Sequence, residues 1–239
     1  PRDFPSVFAA NADSTQYLSE GEKQHFSGLK VEKRRREWLL GRMGAKSIVQ
    51  RHLALRHQLA VDWTAISILP DEDSAPIVSV SHPKAPDVSI SLSHRSGFAV
   101  LAVDDSANGW SFGVDVERVE PRIESFVADY FTDRERQHLT VGSTLERDRL
   151  VTVYWCVKEA VLKAVRKGLS VSADRVEVLE MAGDGTVTVS LDRELSKGIV
   201  QARCWHLPSH VVTWASVDTA GTVISPPTAP YPARLWLPT

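Results

Sequence analysis

Asp115 and Glu117 stand two residues apart in the alternating run Phe112-Gly113-Val114-Asp115-Val116-Glu117. An extended chain turns both carboxylates to one face and the apolar residues to the other. Carboxylates so placed repel and desolvate each other unless water or a cation neutralises them. Such oxygens suit Mg²⁺, which takes one or two from protein and the rest from water and substrate phosphate. A solvated strand edge is the other reading the residues leave open. Glu159 and Lys163 stand four apart among Trp155, Val157, Val161 and Leu162. That spacing also suits a simple helix ion pair, although the surroundings are unusually apolar for one. Ser93-His94 closes an alternating stretch and runs into Arg95-Ser96-Gly97. A strand-to-turn junction of this kind can offer hydroxyl, imidazole and amide donors to a phosphate. No Gly-x-Ser-x-Gly elbow accompanies it, which argues against a serine hydrolase. The basic run Lys33 to Arg36 continues into Arg42 and Lys46. Arg35, Arg42 and Lys46 project from one face of a helix, which reads as solvated surface or as a phosphate grip.

These residues need elements to position them. The pattern predicts a helix over 19–57, with Gly41 and Gly44 as places for a kink or a close backbone approach. Val88–Ser93 alternates as a half-buried strand, with 98–103 as its hairpin partner and 112–117 a further strand. A second helix is expected over 151–165, then strands at 176–179, 187–191 and 211–217. The prolines at 226, 227, 230 and 232 suggest an irregular strap. A faint repeat underlies this order. Lys46–Arg51 can be laid on Lys158–Lys163, and Ser93-His94 on Ser209-His210. From lysine to Ser-His is 47 residues in the first copy and 51 in the second. The expected architecture is α+β, a pseudo-twofold duplication of two similar halves, 1–111 and 112–239.

Composition narrows the function classes. The 239 residues are 43% hydrophobic and 24% charged, enough to bury a core. A net charge of −2 gives no bulk attraction to nucleic acid. Cys156 and Cys204 are the two cysteines, so neither a disulfide framework nor a cysteine-rich zinc site is expected, and the reducing cytoplasm is the expected compartment. No apolar run reaches the roughly 18 residues of a membrane span. Beginning on Pro1, the chain reads as a processed or excised piece.

In this order the motifs resemble the 4'-phosphopantetheinyl transferase superfamily, in its larger Sfp-type branch. They are Arg36-Glu37-Trp38-Leu39-Leu40-Gly41-Arg42, Ser91-Leu92-Ser93-His94, Gly113-Val114-Asp115-Val116-Glu117, Phe131-Thr132-Asp133-Arg134-Glu135, and Trp155-Cys156-Val157-Lys158-Glu159-Ala160-Val161-Leu162-Lys163. The resemblance implies one active site at the interface of the halves. It implies transfer of 4'-phosphopantetheine from CoA to a serine of an acyl or peptidyl carrier protein, with release of 3',5'-ADP, by a functional monomer. Asp115, Glu117 and Glu159 would hold Mg²⁺ (or Mn²⁺), Glu159 would serve as general base, and Lys163 would neutralise the pyrophosphate. Ser93 and His94 would contact CoA phosphates, and Arg34 and Arg42 the 3'-phosphate. Helical projection prefers Arg35 to Arg34. Glu135 matches an acidic position near the metal. Where the family carries a Gly-basic-Pro step this chain has Ser74-Ala75-Pro76, with Lys84 as a candidate substitute, which affects how the adenine end is held. A non-catalytic module binding CoA or a carrier protein is the alternative from another class.

Overall fold

Two long helices, each laid on antiparallel strands, account for most of the buried surface. A computed structural model describes residues 12–96, 98–106, 110–140, 142–196, 198–218 and 233–234. The elements are α1 (Glu20–Gly28), α2 (Glu32–His57), β1 (Ile66–Pro70), β2 (Pro76–Val80), β3 (Val88–Arg95), β4 (Phe98–Asp105), β5 (Trp110–Arg118), α3 (Glu124–Tyr130), α4 (Asp133–His138), α5 (Thr144–Ala164), β6 (Val176–Met181), β7 (Thr186–Leu191), β8 (Ile199–His206), β9 (His210–Asp218) and β10 (Ala233–Arg234). The mixed helix-and-sheet class is as expected. The proline strap lies outside the described residues.

The helix expected over 19–57 is two. Leu29 and Val31, the residues bounding the link, are extended. Arg35 explains how the break is held: its guanidinium donates to the carbonyls of Phe26 and Leu29. It also lies 4.1 Å from the Phe26 ring centroid. The Phe26 carbonyl accepts from the Leu29 N–H as well, and Arg35, bonded to carbonyls at the end of one helix from the first turn of the next, splices α1 to α2.

The chain divides into two units, and Ser93–Ser96 group with the second. In the first, Ala45, Val49 and Leu53 of α2 pack with Ile66, Ile68, Val88 and Ile90. The hairpin β1-β2 and the sheet β10-β4-β3 supply its strands. Ser74 and Ala75 close the β1-β2 turn and Pro76 begins β2, and Asp71 accepts from the backbone N–H groups of Asp73 and Ala75. In the second unit, the antiparallel sheet runs β5-β9-β8-β7-β6. Helix α5 packs on β5 and β9 through Val153, Val157, Ala160, Val161 and Ala164, all at most 1% exposed.

Each unit contains the same buried clamp. In the first, Ser19 and Glu22 form a capping box. Glu22 accepts from the Ile68 N–H and ion-pairs with Lys46 at 2.6 Å, and both side chains are fully buried. Lys46 also donates to the carbonyls of Trp63 and Ile66. In the second, Thr132 and Glu135 form the box. Glu135 accepts from the Val178 N–H and pairs with the buried Lys158 at 2.8 Å. Lys158 donates in turn to the carbonyls of Ala173 and Val176. One acid, one lysine and matching backbone groups recur in the same order. That recurrence fixes the repeat in the register set by Lys46 and Lys158. Glu135 is therefore a strut rather than a ligand, and Lys46 points inward rather than toward a phosphate.

Gly113 lets α5 approach β5. A Cβ there would lie 2.0 Å from the Ala160 carbonyl oxygen and 2.7 Å from the Ala164 nitrogen. Both obstacles are backbone, so the helix itself must shift. Gly113→Ala is expected to cost about 3 kcal/mol or more, above ordinary overpacking, and to move Glu159 and Lys163 away from Asp115. Thermal unfolding and activity, both falling, would check it; an unchanged melting temperature would contradict the close approach.

Candidate active site

The second unit gathers most of the sequence-predicted residues around Asp115. Strand β5 pairs with β9 along its length, with Asp115 opposite Thr213. The strand's period of two sends Asp115 and Glu117 to the α5 side. Asp115 is 3% exposed. Its Oδ1 accepts from Ser93 Oγ at 2.7 Å and from Lys163 Nζ at 2.7 Å. Lys163 also donates to the Val114 carbonyl at 3.3 Å. The lysine thus turns to the strand, which the spacing of Glu159 and Lys163 alone did not indicate. Burial by itself would lower the Lys163 pKa, but Asp115 outweighs it and the net shift is upward.

Glu159, one turn before Lys163, has a buried Oε1 with no hydrogen-bond partner among the described residues. Asp115 Oδ2 is in the same condition. Burial first, then the neighbouring Asp115 charge, raises the Glu159 pKa to about 7. Glu117 is shifted upward by burial and by Asp115, yet it is well partnered. Arg122 donates to its Oε2 at 2.9 Å, Arg95 Nε stands 3.5 Å from the same oxygen, and Trp155 Nε1 donates to Oε1 at 3.3 Å. The role of Arg95 and Arg122 as counter-charges escapes sequence reasoning. Arg95 ends β3 and Arg122 lies in the connection between β5 and α3, and a pairing between such distant positions leaves no local period.

Two buried carboxylate oxygens without donors, one of them on the acid whose pKa burial raises to about 7, fit a hard divalent cation. Asp115 and Glu159 supply those oxygens. Glu117 is engaged by Arg122, Arg95 and Trp155, and the three carboxylates are not among the groups whose ligand atoms lie within 4.8 Å of one another.

The phosphate-side residues fall in two settings. His94 is exposed on the strand face opposite Ser93. Arg34 is exposed near the start of α2. Arg42 is 7% exposed, with Nε 3.7 Å from Glu22 and its guanidinium 4.6 Å from the Trp38 ring centroid. Its Nε and Nη1 find no acceptor among the described residues. Burial outweighs Glu22 and lowers its pKa to about 10.

The raised acid makes a pH expectation. Glu159 folded near 7 and unfolded near 4.5 means the native state holds this proton more tightly. The contribution of this group to metal-free stability is then full below about pH 4.5 and is lost as pH rises through about 7, a loss of about 3 kcal/mol. Urea midpoints for wild type and Glu159→Gln at pH 5 and 8, in chelator, should diverge at the higher pH. Parallel midpoints would contradict the desolvated carboxylate.

Residues 111–215 match the 4'-phosphopantetheinyl transferase superfamily. The chain is 26% identical over 153 residues to 4'-phosphopantetheinyl transferase Sfp of Bacillus subtilis, covering 64% of this chain and 62% of that protein. It is 25% identical over 166 residues to the transferase psf-1 of Bacillus pumilus, covering 70% and 65%. The matches thus span slightly less than two thirds of either relative. A holo-(acyl-carrier-protein) synthase from Bacillus anthracis, solved in complex with CoA (3',5'-ADP), superposes with a TM-score of 0.41 at 21% identity, over 46% of this chain and 96% of that one.

Proposed function

We propose that this chain is a member of the 4'-phosphopantetheinyl transferase superfamily and that it moves 4'-phosphopantetheine from CoA to a serine hydroxyl of an acyl or peptidyl carrier protein. The observation that carries the reading is the Asp115 cluster, with Ser93 and Lys163 on one carboxylate oxygen and a partnerless Glu159 beside it. Asp115 and Glu159 would hold Mg²⁺, with Glu117 joining on release of Arg122. When bound, the ion supplies charge neutralisation at the pyrophosphate.

The remaining chemistry falls to the chain. The serine oxygen forms a bond to the pantetheine-bearing phosphorus as the bridge to the second phosphate breaks, and 3',5'-ADP departs. Glu159 takes the serine proton as general base. Lys163, held charged by Asp115, offsets the negative charge building on the departing phosphate. Ser93 and His94 are assigned to CoA phosphates, and Arg34 and Arg42 to the 3'-phosphate. The buried guanidinium nitrogens of Arg42 without acceptors support an anion there. The register of the repeat places Ser47 where Glu159 stands, so the first unit lacks the helix carboxylate. One active site per monomer follows. Among the described residues no helix is long and apolar enough to cross a membrane.

Incubating the chain with CoA, Mg²⁺ and a panel of apo carrier proteins, read by intact mass, tests the proposal. A phosphopantetheine mass gain on one carrier, with stoichiometric 3',5'-ADP, is expected. CoA or carrier binding with neither product would instead identify a non-catalytic module.

A further inference from the structure

We infer that the first unit carries a second metal site, formed by His52, His57 and Asp105 and suited to Zn²⁺. The two imidazoles come from the last turns of α2 and the carboxylate from the end of β4. His52 Nε2 lies 2.7 Å from Asp105 Oδ1, and His57 Nε2 lies 2.8 Å from the same oxygen. All three ligand atoms fall within 4.8 Å of one another, the only such trio among the described residues.

Several features favour a cation over a plain hydrogen-bonded trio. Two ring nitrogens and a carboxylate oxygen turned to one point form a compact set of donors that a cation can take. Zn²⁺ sits about 2.0–2.2 Å from imidazole nitrogen and carboxylate oxygen, a reach compatible with three ligand atoms that all lie within 4.8 Å of one another. His57 is the final residue of α2, where the helix dipole presents its negative end. His52 is 8% exposed, whereas His57 and Asp105 are 26% and 28% exposed. The burial fixes one ligand, and the open side leaves a fourth position for water. Two imidazoles and one carboxylate are borderline donors that suit zinc over Mg²⁺. This set shares no residue with the Asp115 cluster, so the two ions are assigned by ligand chemistry. Binding would pin the C-terminal turn of α2 to β4. It would stabilise the first unit without entering the transfer reaction.

The test is calorimetric titration of the full chain with Zn²⁺ in saturating Mg²⁺, which keeps the Asp115 cluster occupied. One zinc per chain is expected, with a rise in melting temperature. His52→Gln/His57→Gln should weaken that binding by more than the roughly 10–100-fold that loss of a second-shell partner costs, and abolish the thermal shift. Asp105→Asn should weaken it in the same direction. Co²⁺ in place of zinc should give visible absorption in the wild type only. Far-UV circular dichroism confirms that the variants fold; His57, partly exposed at a helix end, supplies the mildest single change. No zinc uptake by the wild type overturns the proposal. Unchanged uptake in the folded double variant overturns it equally, since the zinc then lies elsewhere. Loss of carrier modification is not a readout here, so failure of the transferase reading leaves this test intact.

Discussion

Glu159→Gln is expected to reduce phosphopantetheine transfer by about 10²–10⁴-fold, the range that loss of a general base costs, while leaving the protein at least as stable as wild type. The two effects have one cause. A carboxylate with a buried, partnerless oxygen is held in the native state at a free-energy cost. Desolvation and Asp115 together raise its pKa to about 7, which measures that cost. Glutamine keeps the shape and removes the charge, so at pH 8 in chelator the variant should resist urea better than wild type. Losing the base and a cation ligand together should stop transfer. Opposite signs for stability and activity mark a residue kept for chemistry. A variant that lost both would point to a packing role, and near-normal turnover would remove Glu159 from the mechanism. Rate with a saturating carrier protein, and urea midpoints on the same preparation, decide between these outcomes.

How far the sequence foretells this arrangement depends on the kind of signal. Alternation placed Asp115 and Glu117 on one face of a strand, because a period of two admits one assignment where the other face is core. The long helix α5 was legible from its apolar spacing. The break between α1 and α2 was not, because the signal is a side chain: Arg35 takes the carbonyls that a continuous helix would have used. Lys163 reads as the partner of Glu159 by spacing, yet it bonds to Asp115, 48 residues away. Long-range pairings leave no local period. The clamps are an instructive case. Ser19-x-x-Glu22 and Thr132-x-x-Glu135 are visible as capping boxes, but nothing in either tetrapeptide says that the acid also meets a buried lysine. Comparing the two copies is what exposes it. The basic face of α2 therefore divides: Arg35 splices helices, Lys46 braces the interior, and Arg42 retains unsatisfied donors.

Lys158→Met is expected to destabilise the second unit by about 3–5 kcal/mol, the cost of stripping one partner from a buried ion pair. Glu135 would remain fully buried, facing a thioether in place of an ammonium. The Ala173 and Val176 carbonyls would lose their donor as well. Against a total stability of about 5–15 kcal/mol, such a loss leaves little margin, and the melting temperature should fall by about 10 °C or more. Burial pulls the Lys158 pKa down and Glu135 opposes that pull, with a net downward shift. Apolar replacement of both partners is often harmless for a simple buried pair. Here it should not be. Glu135 also accepts from the Thr132 and Val178 backbone N–H groups, which would be orphaned together with the two carbonyls. Lys158→Met/Glu135→Leu should therefore recover only part of the loss. Full recovery would show that the pair contributes charge alone and no backbone satisfaction. Lys46→Met should behave alike in the first unit, where Glu22 and the Trp63 and Ile66 carbonyls stand in the same relation. Equal costs in the two copies would indicate that the clamp does the same structural work in both, although the residue after the lysine is Ser47 in one and Glu159 in the other.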